Sequence, residues 1–254
     1  TRAQTASILW RWIAWEQQPQ VCQSNLTDLP AAGTPHYDAI VYLSCIGVIK
    51  GFSDHTFRPE EPVTRAQAVT LVMRILAQLR PDKGILSAPV GDGYSFPDVT
   101  DGPHRTDIER ARRIRLISGY SDGNFRPDDP VDRGQFAKIV ARGIYYAFID
   151  ADILPEVIDD YSPALPRSKP AGFSETRQVL ATLAPNFCFP AATGAQIAGL
   201  TIGADNTPVC YRRALGAPVV IRDVSPGHWS QANIQALYNA GVTTGCSSAD
   251  PSIF

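Results

Sequence analysis

One long pattern that occurs twice without a gap constrains this chain more than any other feature. The stretch IVYLSCIGVIKGFSDHTFRPEEPVTRAQAVTLVMRIL from Ile40 and the stretch IERARRIRLISGYSDGNFRPDDPVDRGQFAKIVARGI from Ile108 align at an offset of 68 residues. A third copy, IQALYNAGVTTGCSSADPSIF, begins at Ile234 and reaches Phe254, read as the equivalent of Phe57 and Phe125 across a loop three residues longer. The opening TRAQTASILWRWI reads as the part that should come next, since TRAQ recurs at Thr64-Arg65-Ala66-Gln67 inside the first full copy. Repeats of this length are supersecondary units that bury their apolar faces against one another.

Each copy reads as helix, loop, helix. The first helix carries one apolar stripe, at Ile40, Leu43 and Ile46, at Ile108, Ala111 and Ile114, and at Ile234, Leu237 and Ala240. It is expected to stop at Gly51, Gly119 or Gly245, where glycine accepts a left-handed cap. Ser53-Asp54-His55 and Ser121-Asp122-Gly123 are turn chemistry, and Phe57 and Phe125 are expected to plug the loop into the core. The second helix starts after Pro62 or Pro130, with Thr64 or Asp132 as N-cap and Gln67 or Gln135 completing a capping box. Its buried face is Ile8, Leu9 and Ile13, then Leu71, Val72 and Leu76, then Ile139, Val140 and Ile144.

Bulk properties narrow the function classes. With 254 residues, of which 44% are apolar and 19% charged, the chain can bury a sizeable core. A net charge of −2 with dispersed Lys and Arg gives no basic stripe for nucleic acid. No apolar run approaches the roughly 18 to 20 residues of a membrane-spanning helix, and no charged-then-apolar leader opens the sequence, so no membrane insertion is expected. Cys22, Cys45, Cys188, Cys210 and Cys246 fit no CxxC metal pattern, and no metal or cofactor is expected. Disulfides are the expected use. Cys22 with Cys45 would tie a linker to the next helix, Cys188 and Cys210 bracket a loop or hairpin, and Cys246 is left as a free thiol or an intermolecular bond.

The repeats resemble the S-layer homology family, whose units combine an aspartate-containing lead-in, often an HW pair, a helix, a GY-DG-F-RP-P loop and a TRAE-like helix start. Here the lead-ins are Leu26-Thr27-Asp28-Leu29, Phe96-Pro97-Asp98-Val99 and Ile221-Arg222-Asp223-Val224, the last followed by His228-Trp229. The chain departs from the pattern in having Gln for the Glu of TRAE in all copies, and Pro35 and Pro103 where Trp229 stands in the third. The resemblance implies a mainly α fold of helix-loop-helix units packed as a pseudo-threefold bundle, exported to the cell surface. It implies polysaccharide held in grooves between units, without catalysis. The expected divisions are 1–20 as the second half of a unit, 21–80 and 81–145 as full units, 146–220 as a Pro-rich linker and an irregular, disulfide-containing insertion, and 221–254 as the first half of a unit. Within 146–220, Leu154 to Pro170 is linker-like and Glu175 to Leu183 reads as a short helix.

Candidate site residues follow from these positions. Arg2, Arg65 and Arg133 each stand just inside a helix N-terminus, where amides and helix dipole favour an anion and a guanidinium grips carboxylate or phosphate in a bidentate manner. A pyruvylated or phosphorylated sugar would suit such a place. The alternative is an ion pair from each arginine to a neighbouring unit's acid, Asp28, Asp98 or Asp223. Trp229 can stack on a sugar face or close a helix pair. Ser53-Asp54 and Ser121-Asp122-Gly123-Asn124 offer oxygen ligands but lack the distal Glu of a calcium loop, so plain turns are expected. Asn25-Leu26-Thr27 is a glycosylation sequon. No nucleophile, base and acid set is found, and no GxSxG or SxxK motif, so catalysis is not expected.

The divided unit sets the remaining expectation. A helix carrying Ile8, Leu9, Trp12 and Ile13, and a segment carrying Ile234, Leu237, Val242 and Phe254, each leave an apolar stripe that needs a partner. The halves can meet within one molecule, closing a ring of three units, or between copies of the chain, giving a head-to-tail filament or surface layer. They can also belong to a longer chain. The reading favoured by the clean complementarity of the halves is self-assembly through the split unit. A monomeric anchor on anionic wall polysaccharide through Arg2, Arg65, Arg133 and Trp229 is the alternative.

Overall fold

The computed structural model describes residues 1–13, 22–90 and 93–148, two short strands further on, and scattered positions between 223 and 243. Among the described residues the fold is mainly α. Its helices are α1 (Arg2–Ile13), α2 (Tyr37–Cys45), α3 (Arg65–Leu79), α4 (Arg105–Arg113) and α5 (Arg133–Phe148), with a 3-10 turn at Pro81–Lys83. The strands β1 (Phe187–Phe189) and β2 (Val209–Tyr211) pair antiparallel with Cys188 opposite Cys210. Apart from these strands, 149–220, including the expected helix at Glu175 to Leu183, lies outside the described residues, as do Cys246 and Phe254.

The second helices start where the capping chemistry places them. Thr64 accepts from the Gln67 amide at 3.2 Å while the Gln67 side chain accepts from the Thr64 amide at 3.2 Å. Asp132 and Gln135 repeat the exchange at 2.7 and 3.3 Å, and Thr1 and Gln4 do so at the start of α1. Two backbone amides at the starts of α3 and α5 are thereby satisfied, and at α1 the Gln4 amide and the Thr1 ammonium.

The first helices end earlier than the glycines led one to expect. α2 stops at Cys45 and α4 at Arg113, and the left-handed residue that follows the C-cap is Gly47 (φ 75°) in one copy and Arg115 (φ 60°) in the other. Gly51 and Gly119 have a different task. A Cβ on Gly51 would lie 2.6 Å from the Leu26 side chain and 3.0 Å from the Thr56 carbonyl. On Gly119 it would lie 2.7 Å from Phe96 and 2.8 Å from the Asn124 carbonyl. Both glycines make room for the lead-in side chain to lie against the loop.

The core runs through both full copies. Phe57 and Phe125 are almost wholly buried, as the loop-plug expectation required, together with Ile40, Leu43, Ile108, Ala111, Val72, Leu76, Val140 and Ile144. α1 packs on α2, α3 on α4, and α3 on both α1 and α5. The second helices converge at Gly143 of α5, where a Cβ would meet Trp12 of α1 and Val72 of α3, each at 2.9 Å. A disulfide joins Cys22 to Cys45 with Cα atoms 6.2 Å apart, tying the lead-in to the end of α2. α4 carries Arg113 at the repeat position of Cys45, and its guanidinium holds the preceding segment by the Pro89 carbonyl at 3.1 Å.

Candidate functional site: the seams between units

α1 and α3 each insert their first turn into the loop of another unit. The amides of Arg2 and Ala3 donate to the carbonyls of Glu61 and Pro59, both at 2.9 Å. Those of Arg65 and Ala66 donate to Asp129 and Pro127, again at 2.9 Å. The RPEEP and RPDDP loops thus satisfy with their carbonyls the helix-start amides that an anion would otherwise attract.

The arginine side chains follow the same route. Arg2 Nε donates to the Phe57 carbonyl at 2.5 Å, and its guanidinium lies 4.8 Å from the Phe52 ring and 4.7 Å from the Phe57 ring. Arg65, only 3% exposed, donates from Nε to the Phe125 carbonyl at 2.9 Å and from Nη2 to the Ser118 carbonyl at 3.1 Å. It stacks between Tyr120 and Phe125 at 4.9 and 4.8 Å. Cation–π contact and two acceptors hold a desolvated guanidinium without a carboxylate.

The aspartates act elsewhere. Asp28 accepts from the amides of Phe57 and Arg58, both at 2.6 Å, and Asp98 from those of Phe125 and Arg126 at 2.8 and 2.6 Å. Each carboxylate therefore latches the loop of its own unit, and no ion pair joins Asp28 to Arg2 or Asp98 to Arg65. Asp223 is exposed. The Asp54 and Asp122 turns are closed by their own side chains: Asp54 accepts from the Thr56 amide, the Thr56 hydroxyl and Arg58, which together hold its carboxyl down to about 2. Among the described residues no cluster of His, Cys, Asp and Glu fits a metal ion. Asn25 is exposed.

The start of α5 meets the third copy. Gly134 of α5 is buried, and a Cβ there would lie 2.8 Å from Ser230 Oγ and 3.2 Å from the Trp229 ring. Trp229 is half-buried, with the His228 ring 5.4 Å and Lys138 Nζ 5.9 Å from it. Arg133 is exposed, unlike Arg65 at the same repeat position. Beside it opens a cleft of about 370 Å3. α1 contributes Gln4, Thr5, Ile8 and Arg11 to this cleft, the start of α5 contributes Arg133 and Phe136, and the third copy contributes Leu237 and Thr243.

His36, also in the cleft, lies 2.6 Å by Nδ1 from Ser7 Oγ. Burial, with the charge of Arg11, lowers its pKa and so favours the neutral imidazole. His104 and Thr70 repeat the pairing at 2.9 Å on the α3–α4 seam. The cleft thus offers guanidinium groups, the Asp132 carboxylate, hydroxyl and amide groups and apolar faces. Residue-by-residue reading passed over Arg11, Ser7, His36, Thr70 and His104. The signal was in the repeat: Ser7 and Thr70 stand five residues after Arg2 and Arg65, and His36 and His104 four before Ile40 and Ile108.

Comparison with known proteins agrees with the repeat. The S-layer homology domain matches residues 33–69 and 95–137. The chain is 26% identical over 169 residues to cell surface glycoprotein 1 of Acetivibrio thermocellus, covering 63% of this chain and 7% of that protein. It is 30% identical over 92 residues to a cellulosome-anchoring protein of the same organism, covering 36% of this chain and 20% of the relative. An endoglucanase of a Bacillus species is 30% identical over 116 residues, covering 45% of this chain and 11% of the enzyme. The chain therefore spans a small part of the length of these relatives.

Proposed function

We propose that this chain, which carries S-layer homology units at 33–69 and 95–137, is a wall-anchoring module of the cell surface that holds an anionic polysaccharide without catalysis. Relatives named for the cell surface, for anchoring and for an endoglucanase share with it only a limited segment, as expected of an attachment module joined to different cargo. No helix among the described residues is long and apolar enough to cross a membrane, so attachment through a polymer fits the fold.

One observation carries the reading: Arg133 is exposed on the rim of a cleft of sugar-accommodating size that Gln4, Thr5 and Arg11 also line. Arg133 is the ligand-facing member of the three, Arg2 and Arg65 are seam residues, and Trp229 packs the α5 entrance while leaving part of its ring accessible. Pelleting with purified cell wall tests this. Arg133→Ala is expected to lower retention at least tenfold with the fold intact by circular dichroism, and unchanged retention would overturn the assignment.

Self-assembly through the divided unit takes second place. It requires the halves to be covered by another copy, whereas Leu9, Trp12, Ile13, Ile234, Leu237 and Val242 are all buried within one chain. Sedimentation at rising concentration separates the readings: the anchor stays at 27.6 kDa, and growth into fibres would favour assembly.

A further inference from the structure

His36 and His104 occupy one repeat position and make the same hydrogen bond from different backbones. Each Nδ1 pairs with a hydroxyl of a second helix, Ser7 at 2.6 Å and Thr70 at 2.9 Å, and those hydroxyls also share a repeat position. His104 reaches its bond with φ −106° and ψ −14°. His36 reaches its own from the left-handed region, with φ 77° and ψ −19°, directly before α2. The seam bond therefore does not require the left-handed backbone. A residue with a Cβ held in that region marks a place where the surroundings over-determine the chain, as they do at ligand sites.

His36 is half-buried on the wall of the cleft that Ser7, Arg11, Asp132 and Arg133 also line. Its Nδ1 is taken by the buried Ser7, and its Nε2 has no hydrogen-bond partner among the described residues. Charged groups reach the ring from every side. Arg11 of α1 and the Thr1 ammonium disfavour its protonation, and Glu60 of the RPEEP loop favours it. The start of α5 brings Arg133 and Asp132 to the cleft, the Asp132 carboxylate accepting from the Gln135 amide, and α2 itself has Asp38 in its first turn. The unliganded cleft thus favours the neutral ring, and an anion placed among these cations favours the charged one.

We infer that His36 is a ligand contact of this cleft: Nδ1 stays on Ser7 while Nε2 donates to a carboxylate of the bound polymer, and the ring takes up a proton from solvent as the polymer binds. The inference rests on the wall-ligand reading above and adds to it a ligand class, a polymer bearing carboxylates, and a direction with pH. In the charged imidazole both nitrogens donate, so Ser7 Oγ accepts from Nδ1 and Nε2–H is left for the acid. Binding and proton uptake then favour each other. Affinity is greatest below the pKa of the unliganded cleft, which lies under the ordinary 6.5, and falls as pH rises through the higher pKa of the occupied one.

Binding of the full chain at pH 5.5 and 7.5 tests the contact, with the fold checked by circular dichroism at both. Purified cell wall is used in pelleting, and glucuronate, whose carboxylate stays ionised at both values, in titration calorimetry. Affinity is expected to be about fivefold higher at pH 5.5, the scale of one charge-assisted hydrogen bond from a half-buried ring. Calorimetry in two buffers of different ionisation heat should show proton uptake on binding. His36→Asn, a residue that tolerates the left-handed region, is expected to remove both the pH difference and the uptake. His104→Asn removes the matching ring from the α3–α4 seam and should keep both, which separates ligand contact from the acid sensitivity of the fold. Equal binding at the two pH values, or a pH difference that survives in His36→Asn, overturns the contact and leaves the wall-ligand reading in place. If neither wall nor glucuronate binds at either pH, the wall-ligand reading falls and the contact falls with it.

Discussion

His36 and His104 show how a seam comes to depend on pH. Each imidazole accepts or donates through Nδ1 to a hydroxyl of a helix from another unit, Ser7 for His36 and Thr70 for His104. Burial is the largest influence on both and lowers both pKa values below the ordinary 6.5. Around His104, Arg74 and Arg2 push the same way while Asp107 and Asp128 oppose; around His36, Arg11 pushes down and Glu60 opposes. A lowered folded-state pKa means that the folded form prefers the neutral ring. The contribution is complete above the ordinary value of 6.5, and stability falls as pH drops below it, because the unfolded chain then takes up protons that the folded chain refuses. The urea midpoint should therefore be lower at pH 5.5 than at pH 7.5. Replacing both rings, His36→Asn and His104→Asn, should flatten that difference, and an equally steep profile in the double variant would assign the acid sensitivity to other groups.

The helix ends separate what is local in this fold from what is not. At the position after the C-cap, Gly47 and Arg115 adopt the same left-handed conformation, although only glycine reaches it without a Cβ penalty. Arg115 is exposed, so its side chain contributes little that would offset the strain. Arg115→Gly is expected to stabilise the chain by about 1 kcal/mol, read as a shift of the chemical denaturation midpoint with unchanged slope. No gain would mean that the conformation is held there at no cost. The same comparison shows what the residues themselves made legible. The second helices, their capping boxes and the buried Phe57 and Phe125 could be read directly, because a cap is decided within four residues and a plug by its place in a turn. The ends of the first helices could not, because Gly51 and Gly119 resemble caps, whereas their missing Cβ atoms make room for Leu26 and Phe96 from the lead-ins. Nor could the acceptors of Arg2 and Arg65, which are carbonyls more than fifty residues away and carry no side-chain signature.

At the scale of the whole molecule, the second helices meet where three residues of one repeat position differ most in size. Trp12, Ile75 and Gly143 each stand ten residues after the arginine of their own helix start, and the absent side chain at Gly143 makes room for the Trp12 ring. A bulky residue is thus matched by an empty position rather than by a symmetric set of three, which fixes which helix lies where. The fit leaves the buried Trp12 Nε1 without a hydrogen-bond partner, a cost the packing of the ring must offset. Gly143→Ala would set a methyl group 2.9 Å from both Trp12 and Val72, contacts that force a shift of α1 or α3. Overpacking of this kind costs roughly 1–3 kcal/mol, less the helix propensity that alanine adds. Trp12→Phe makes room for the methyl group and removes the orphan donor. The two changes together should therefore cost less than the sum of each alone, by at least 0.5 kcal/mol in a double-mutant cycle on denaturation free energies. Strict additivity would show that α1 and α5 do not compete for this space, and the convergence of the second helices would then not be what orders the bundle.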